Sequence, residues 1–142
     1  MIKIAIGSDH GGFEYKAKII DYLKEHNFGY EDMGTYTTES CDYPVIAKKV
    51  ANEVVSGKAD KGILVCGTGI GMSIAANKVK GIRAALCSDT FSARATRAHN
   101  NSNILCLGQR AIGECLALEI VDVWLHTEFE GGRHQRRIDE IE

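Results

Sequence analysis

A chain of 142 residues has the size of one ordinary domain, and its 44% apolar and 25% charged residues are the balance of a globular protein rather than a disordered or fibrous one. A formal charge of -2 excludes the broad positive field that nucleic acid or an acidic membrane surface calls for, so any anion site must be local. No apolar run reaches the length that crosses a bilayer.

The chain opens directly on an apolar strand pattern, Ile2 to Ile6, without a basic leader or a small-residue cleavage site. A cytoplasmic protein with neither membrane nor nucleic-acid partner is expected. Helical spacing follows around Phe13, Ala17 and Ile20, then a second strand at Tyr30 to Met33. Pro44 suits the first turn of a helix that carries Ile46, Ala47, Val50, Ala51 and Val54. Strands three, four and five are expected at Ile63 to Cys66, Arg83 to Cys87 and Ile104 to Leu107, and a strongly apolar helix holds Ala117, Ile120, Val121, Trp124 and Leu125.

Apolar strands alternating with helices imply a parallel sheet covered on both faces, because each parallel crossover needs a helix. The expected fold is a three-layer, doubly wound (Rossmann-like) α/β domain over residues 1–142, with five parallel strands in the order 2-1-3-4-5 and a C-terminal helical extension. No linker or repeat suggests an internal boundary.

Open parallel sheets bind ligands beyond the carboxyl ends of their strands, where the strand order reverses, here between strands one and three. The turns beyond those two ends are Ser8-Asp9-His10-Gly11-Gly12 and Gly67-Thr68-Gly69-Ile70-Gly71. The second turn's glycines let backbone N–H groups converge on an anion. Its alternatives are a plain strand-to-helix connection and a dinucleotide fingerprint using Asp89; the glycine spacing and the position after strand three count against the latter. Cys66 closes its strand beside this turn, a setting that favours a thiolate able to act as base or nucleophile, although a lone cysteine is usually core. Cys87 and Cys106 lack such a flank and are assigned to the core. Cys41 and Cys115 complete an odd set without C-x-x-C spacing, so the thiols are expected to be reduced, with neither disulfides nor a zinc site.

Asp9 suits a helix N-cap as well as a ligand, whereas His10 in a glycine-flanked turn can donate to a phosphate or hydroxyl. His99 and Asn100 end the helix after strand four. A helix of about ten residues carries them on the order of 15 Å back from the ligand edge, so a catalytic His99 requires a second subunit. Arg133 and Arg137 share a helix face at i, i+4 and suit phosphate, the alternative being surface pairing with nearby carboxylates. Arg110, just beyond strand five, is a further anion candidate.

Gly7-Ser8-Asp9-His10-Gly11-Gly12, Asp42-Tyr43-Pro44, Cys66 to Gly71 with Ser73-Ile74-Ala75-Ala76-Asn77-Lys78, His99-Asn100 and Glu130-Gly131-Gly132-Arg133-His134-Gln135 together resemble the ribose-5-phosphate isomerase type B family over nearly the whole chain. That family also contains galactose-6-phosphate isomerase subunits and members active on allose 6-phosphate. The resemblance implies an aldose-ketose isomerase interconverting ribose 5-phosphate and ribulose 5-phosphate, with Cys66 as base, His99 opening the sugar ring and Thr68 supporting the base. It further implies enediolate binding by the amides of Gly67, Thr68, Gly69, Ile70 and Gly71. Asp9, His10 and Asn100 would position hydroxyls or phosphate, and Arg110, Arg133 and Arg137 would bind the phosphate. Relatives without the cysteine use a glutamate after the glycine turn, where this chain has Met72-Ser73-Ile74-Ala75. Enediolate chemistry needs a base, oxyanion stabilisation and a fixed substrate, so no cofactor or metal is expected, and no histidines stand at metal-ligand spacing. The expected assembly is a homodimer with shared active sites, or a tetramer. A receiver-like domain would need an aspartate where Cys66 stands; a noncatalytic nucleotide-binding module is the other alternative.

Overall fold

The computed structural model describes residues 2–142. Five parallel strands, β1 (Lys3–Ser8), β2 (Gly29–Asp32), β3 (Lys61–Cys66), β4 (Ala84–Leu86) and β5 (Ile104–Gly108), form one sheet in the order β2-β1-β3-β5-β4. Six α-helices accompany them: α1 (Phe13–Glu25), α2 (Tyr43–Val55), α3 (Ile70–Ala76), α4 (Thr90–Asn100), α5 (Glu114–Leu125) and α6 (Arg133–Ile141).

Strand periodicity splits the core in two. Ile4, Ile6, Ile63, Val65, Leu105 and Leu107 face one side, where they pack with Ile19 and Leu23 of α1, Ala93 of α4 and Trp124 of α5. Ala5, Leu64, Cys66, Ile104 and Cys106 face the other, against Ala47 and Val50 of α2 and Met72 of α3. The three-layer class read from the sequence is therefore present.

The expected order of the last two strands is corrected: β5, not β4, adjoins β3. Every residue of β5 is buried, which requires neighbours on both edges, whereas β4 has three residues and an exposed Leu86, the habit of an edge strand. Handedness then fixes the helices. The steps β1 to β2 and β4 to β5 run in one direction across the sheet, and α1 and α4 lie on one face; the opposite steps place α2 and α3 on the other. The reversal between β1 and β3 survives the correction, so the expected ligand edge does too.

Gly12 closes the approach of the first turn to the sheet. A Cβ there would collide with the carbonyl oxygen of Val65, a contact with backbone that no rotamer change relieves. Gly12→Ala is expected to destabilise the protein by about 1–3 kcal/mol, seen as a lower urea midpoint with an unchanged slope. An unchanged midpoint would mean that the turn shifts without cost.

Candidate active site

The turns after β1 and β3 are fastened together by main chain: the Asp9 N–H donates to the Val65 carbonyl at 3.2 Å, and a Cβ on Gly11 would come within 3.2 Å of the Gly67 nitrogen. Asp9 caps the single 3-10 turn His10–Gly12, its Oδ1 accepting from the Gly11 N–H at 2.8 Å. Its capping role and its place at the ligand edge coexist. The N–H of Cys41 donates to His10 Nδ1 at 3.3 Å, so the neutral ring carries its proton on Nε2, as a donor. The loop that supplies Cys41 is itself pinned at its start, where the buried Lys16 ammonium pairs with Asp32 at 2.7 Å and donates to the Thr35 carbonyl.

Beyond β3 the chain turns through Gly69, whose φ of 80° is a conformation that glycine adopts without strain. Its tight turn brings the Gly69 N–H to 3.0 Å from Cys66 Sγ. A thiolate accepts such a bond more strongly than a thiol does. The Ile70 N–H donates to Thr68 Oγ1 at 3.2 Å, so two of the amides expected to meet an oxyanion are already engaged within the turn. Cys66 is 5% exposed and borders a cavity of about 430 Å³ with Asp9, Gly67, Thr68, Ile70 and Gly71. Six of the residues singled out in the sequence thus meet around one space.

Arg110 joins them from the neighbouring strand end. Its N–H donates to the Gly67 carbonyl at 2.9 Å, and its side chain lies over Gly67, with Cδ 3.5 Å from where a Cβ would stand. Tyr43 was not among the expected site residues, yet it lines the cavity with its ring against Gly71. Pro44 was the available signal, since a helix that starts there begins at the carboxyl edge of a parallel sheet and presents its first residues to the ligand. Asp89 is the N-cap of α4, accepting from the Ser92 N–H at 2.6 Å, which uses locally the carboxylate a dinucleotide reading needed.

The remaining expected residues lie elsewhere. His99 and Asn100 end α4, and His99 borders a separate cavity of about 290 Å³ with Phe91, Ala98 and Glu130. Arg133 and Arg137 belong to α6, which packs on α4. The end of α4 is held to the segment leading into α6 by Arg97: its Nη1 donates to Asn101 Oδ1 at 2.8 Å and the Ser102 carbonyl at 2.7 Å, and its Nε to the Thr127 carbonyl at 3.2 Å. The Glu130 N–H donates to the Ala98 carbonyl at 3.0 Å. These joins stack the His134 ring on that of His99, with centroids 4.4 Å apart. Burial, then His99 and Arg133, lower the pKa of His134, against the opposing pull of Glu130. Sequence spacing did not signal this pairing.

All five cysteines are unpaired. Cys87 and Cys106 are core residues as expected; burial, with Asp89 nearby, pushes the Cys87 thiol up to about 11, and burial raises Cys106 further. Among the described residues, no helix is long and apolar enough to cross a membrane.

Residues 4–141 match the Ribose/Galactose Isomerase family. Ribose-5-phosphate isomerase B of Escherichia coli is 50% identical over 141 residues, covering 99% of this chain and 95% of its own length. D-erythrulose-4-phosphate isomerase of Pectobacterium atrosepticum is 46% identical over 142 residues, covering 99% of this chain and 93% of its own. The solved structure of Clostridium thermocellum ribose-5-phosphate isomerase B superposes with a TM-score of 0.98 at 55% identity, over 99% of this chain and 95% of that one. A family match over nearly every residue, carried by a shared backbone and by half of the side chains in a named relative, makes this chain a member of the ribose/galactose isomerase family.

Proposed function

We propose that the protein interconverts ribose 5-phosphate and ribulose 5-phosphate through an enediolate, as one cytoplasmic domain over residues 1–142, without redox cofactor or metal. The observation that carries this reading is the Cys66 thiol on the border of the cavity, held by the Gly69 N–H at 3.0 Å, with Asp9 and the glycine turn on the same border.

In this reading the Cys66 thiolate takes the proton from C2 of the open-chain aldose and returns it to C1, while the hydroxyl proton moves from O2 to O1. The N–H groups of Gly67, Thr68 and Gly71 meet the enediolate oxygens, since those of Gly69 and Ile70 serve the sulfur and Thr68. Thr68 thereby acts in support of the base. His99 moves the proton that opens the ring, Asp9, His10 and Asn100 position hydroxyls or phosphate, and Arg110, Arg133 and Arg137 bind the phosphate remote from the reacting carbons.

Cys66 and His99 border different cavities of one chain, so the reading requires a homodimer, alone or within a tetramer, in which α4 of one subunit reaches the glycine turn of the other. Support comes from exposed apolar side chains at both places. Ile70 and Ile74 on the cavity border and Phe91 beside the His99 cavity are 50%, 58% and 74% exposed, a pattern that suits a covered surface.

The test is direct measurement of interconversion with ribose 5-phosphate, allose 6-phosphate, galactose 6-phosphate and erythrulose 4-phosphate. The highest kcat/KM is expected for ribose 5-phosphate. Arg133→Ala or Arg137→Ala is expected to weaken kcat/KM for the phosphorylated sugar roughly ten- to hundredfold, while any turnover of the unphosphorylated sugar is unchanged. Equal losses for both sugars would remove the arginines from phosphate binding, and absence of turnover on all four substrates would overturn the function.

A further inference from the structure

Three segments meet where α4 ends and α6 begins, and each contributes a metal-ligating side chain. His99, Glu130 and His134 place ligand atoms within 4.8 Å of one another. His134 Nε2 is 3.6 Å from Glu130 Oε1, and His99 Nε2 is 4.0 Å from the same oxygen. Two ligands bound tetrahedrally to zinc at about 2.0–2.1 Å stand roughly 3.3–3.4 Å apart. The two separations from Glu130 exceed this by less than an ångström, within reach of side-chain rotation.

The chemistry and the framework also fit. Two imidazoles and a carboxylate form a known zinc ligand set that leaves a fourth position for solvent. Glu130 is 61% exposed and can turn toward an incoming ion, whereas His134 is 9% exposed; its ring lies 17° from parallel to that of His99, so the more exposed His99 ring must turn out of the stack for both lone pairs to meet one ion. The Glu130 N–H donating to the Ala98 carbonyl and the Arg97 side-chain Nε donating to the Thr127 carbonyl hold the end of α4 to the segment entering α6, and the His134 N–H donating to the Gly131 carbonyl starts α6 beside them. Arg133 and Arg137, both close enough to act on His134, oppose a cation, so the site fills under metal excess rather than permanently.

We propose that His99, Glu130 and His134 form a binding site for a divalent d-block cation such as Zn2+, and that a metal held there blocks the isomerase. The second clause rests on the ring-opening role of His99: a ligated imidazole has no lone pair left at the nitrogen that would move the proton. The metal is thus an inhibitor, in keeping with an enzyme whose chemistry needs none.

The test titrates zinc chloride into the full-length enzyme carrying Cys115→Ser, which removes the exposed thiol, with and without Glu130→Gln. Calorimetry reports affinity, NMR reports the histidine rings, and the isomerase assay reports activity. One Zn2+ per chain should shift the His99 and His134 ring signals together, with activity falling in step and returning on EDTA. Glu130→Gln should weaken binding by at least about tenfold, the lower end of what losing even an outer-shell partner costs, with unchanged metal-free activity. Equal affinity in both proteins, or ring signals that do not move, would overturn the site. Glu130-dependent binding that leaves turnover intact would overturn the block and the ring-opening role of His99, while the site would stand. Failure of the isomerase reading shows separately, as metal-free enzyme without turnover.

Discussion

Cys66→Ala is expected to lower proton transfer by about 10²–10⁴-fold, the usual contribution of a positioned acid or base, with the fold retained. The substitution keeps the Cβ that packs between β3 and α2 and removes only the sulfur facing the Gly69 N–H. Some stability should be lost, because Cys66 is 5% exposed and belongs to the core packed against α2 and α3, but the change is too small to unfold the domain. The measurement is exchange of solvent deuterium into ribulose 5-phosphate, an open-chain sugar, which reads abstraction at carbon without the ring-opening step. A variant that still exchanges near the parent rate would place the base elsewhere, with Asp9 and Tyr43 the other ionisable side chains on the same border.

Mixing Cys66→Ala with His99→Ala under conditions that exchange subunits should restore activity from two inactive proteins. If each site takes Cys66 from one chain and His99 from the other, a mixed dimer holds one doubly defective site and one intact site. Random mixing makes about half of the dimers mixed, so recovery approaches about a quarter of the parent value. The outcome separates two geometries that no single substitution separates. Exchange demonstrated by labelled subunits, without recovered turnover, would place both residues in one site of one chain or remove His99 from the chemistry.

Much of this architecture was legible because its signals are local. Continuous apolar runs such as Ile4-Ala5-Ile6 and Ile63-Leu64-Val65, helices between the strands, and glycine-rich turns at two strand ends sufficed for a doubly wound sheet and its ligand edge. The exchange of β4 and β5 was not legible, because lateral order depends on which strand needs cover on both edges; the full burial of Ile104 to Gly108 is a property of the folded sheet. Likewise, Asp9, Cys66 and Gly67 could be grouped from their places at adjoining strand ends. Tyr43 reaches the same cavity through a helix start and a long loop, and His134 meets His99 only because α6 folds back on α4. Both contacts depend on tertiary packing, which residue spacing does not encode.

The join between α4 and the segment entering α6 has a consequence for divergence. On the side of that segment it uses only main-chain atoms, the Thr127 carbonyl that accepts from Arg97 and the Glu130 N–H that donates to Ala98. Every residue except proline offers that donor, and every residue offers that acceptor. The side chains of Thr127, Glu128, Phe129 and Glu130, none of them fully buried, can therefore be exchanged by mutation while the attachment persists, and the sheet that carries Cys66 is untouched by such changes. A fold joined in this way lets the connecting segment drift in sequence without first destabilising the core it is tied to.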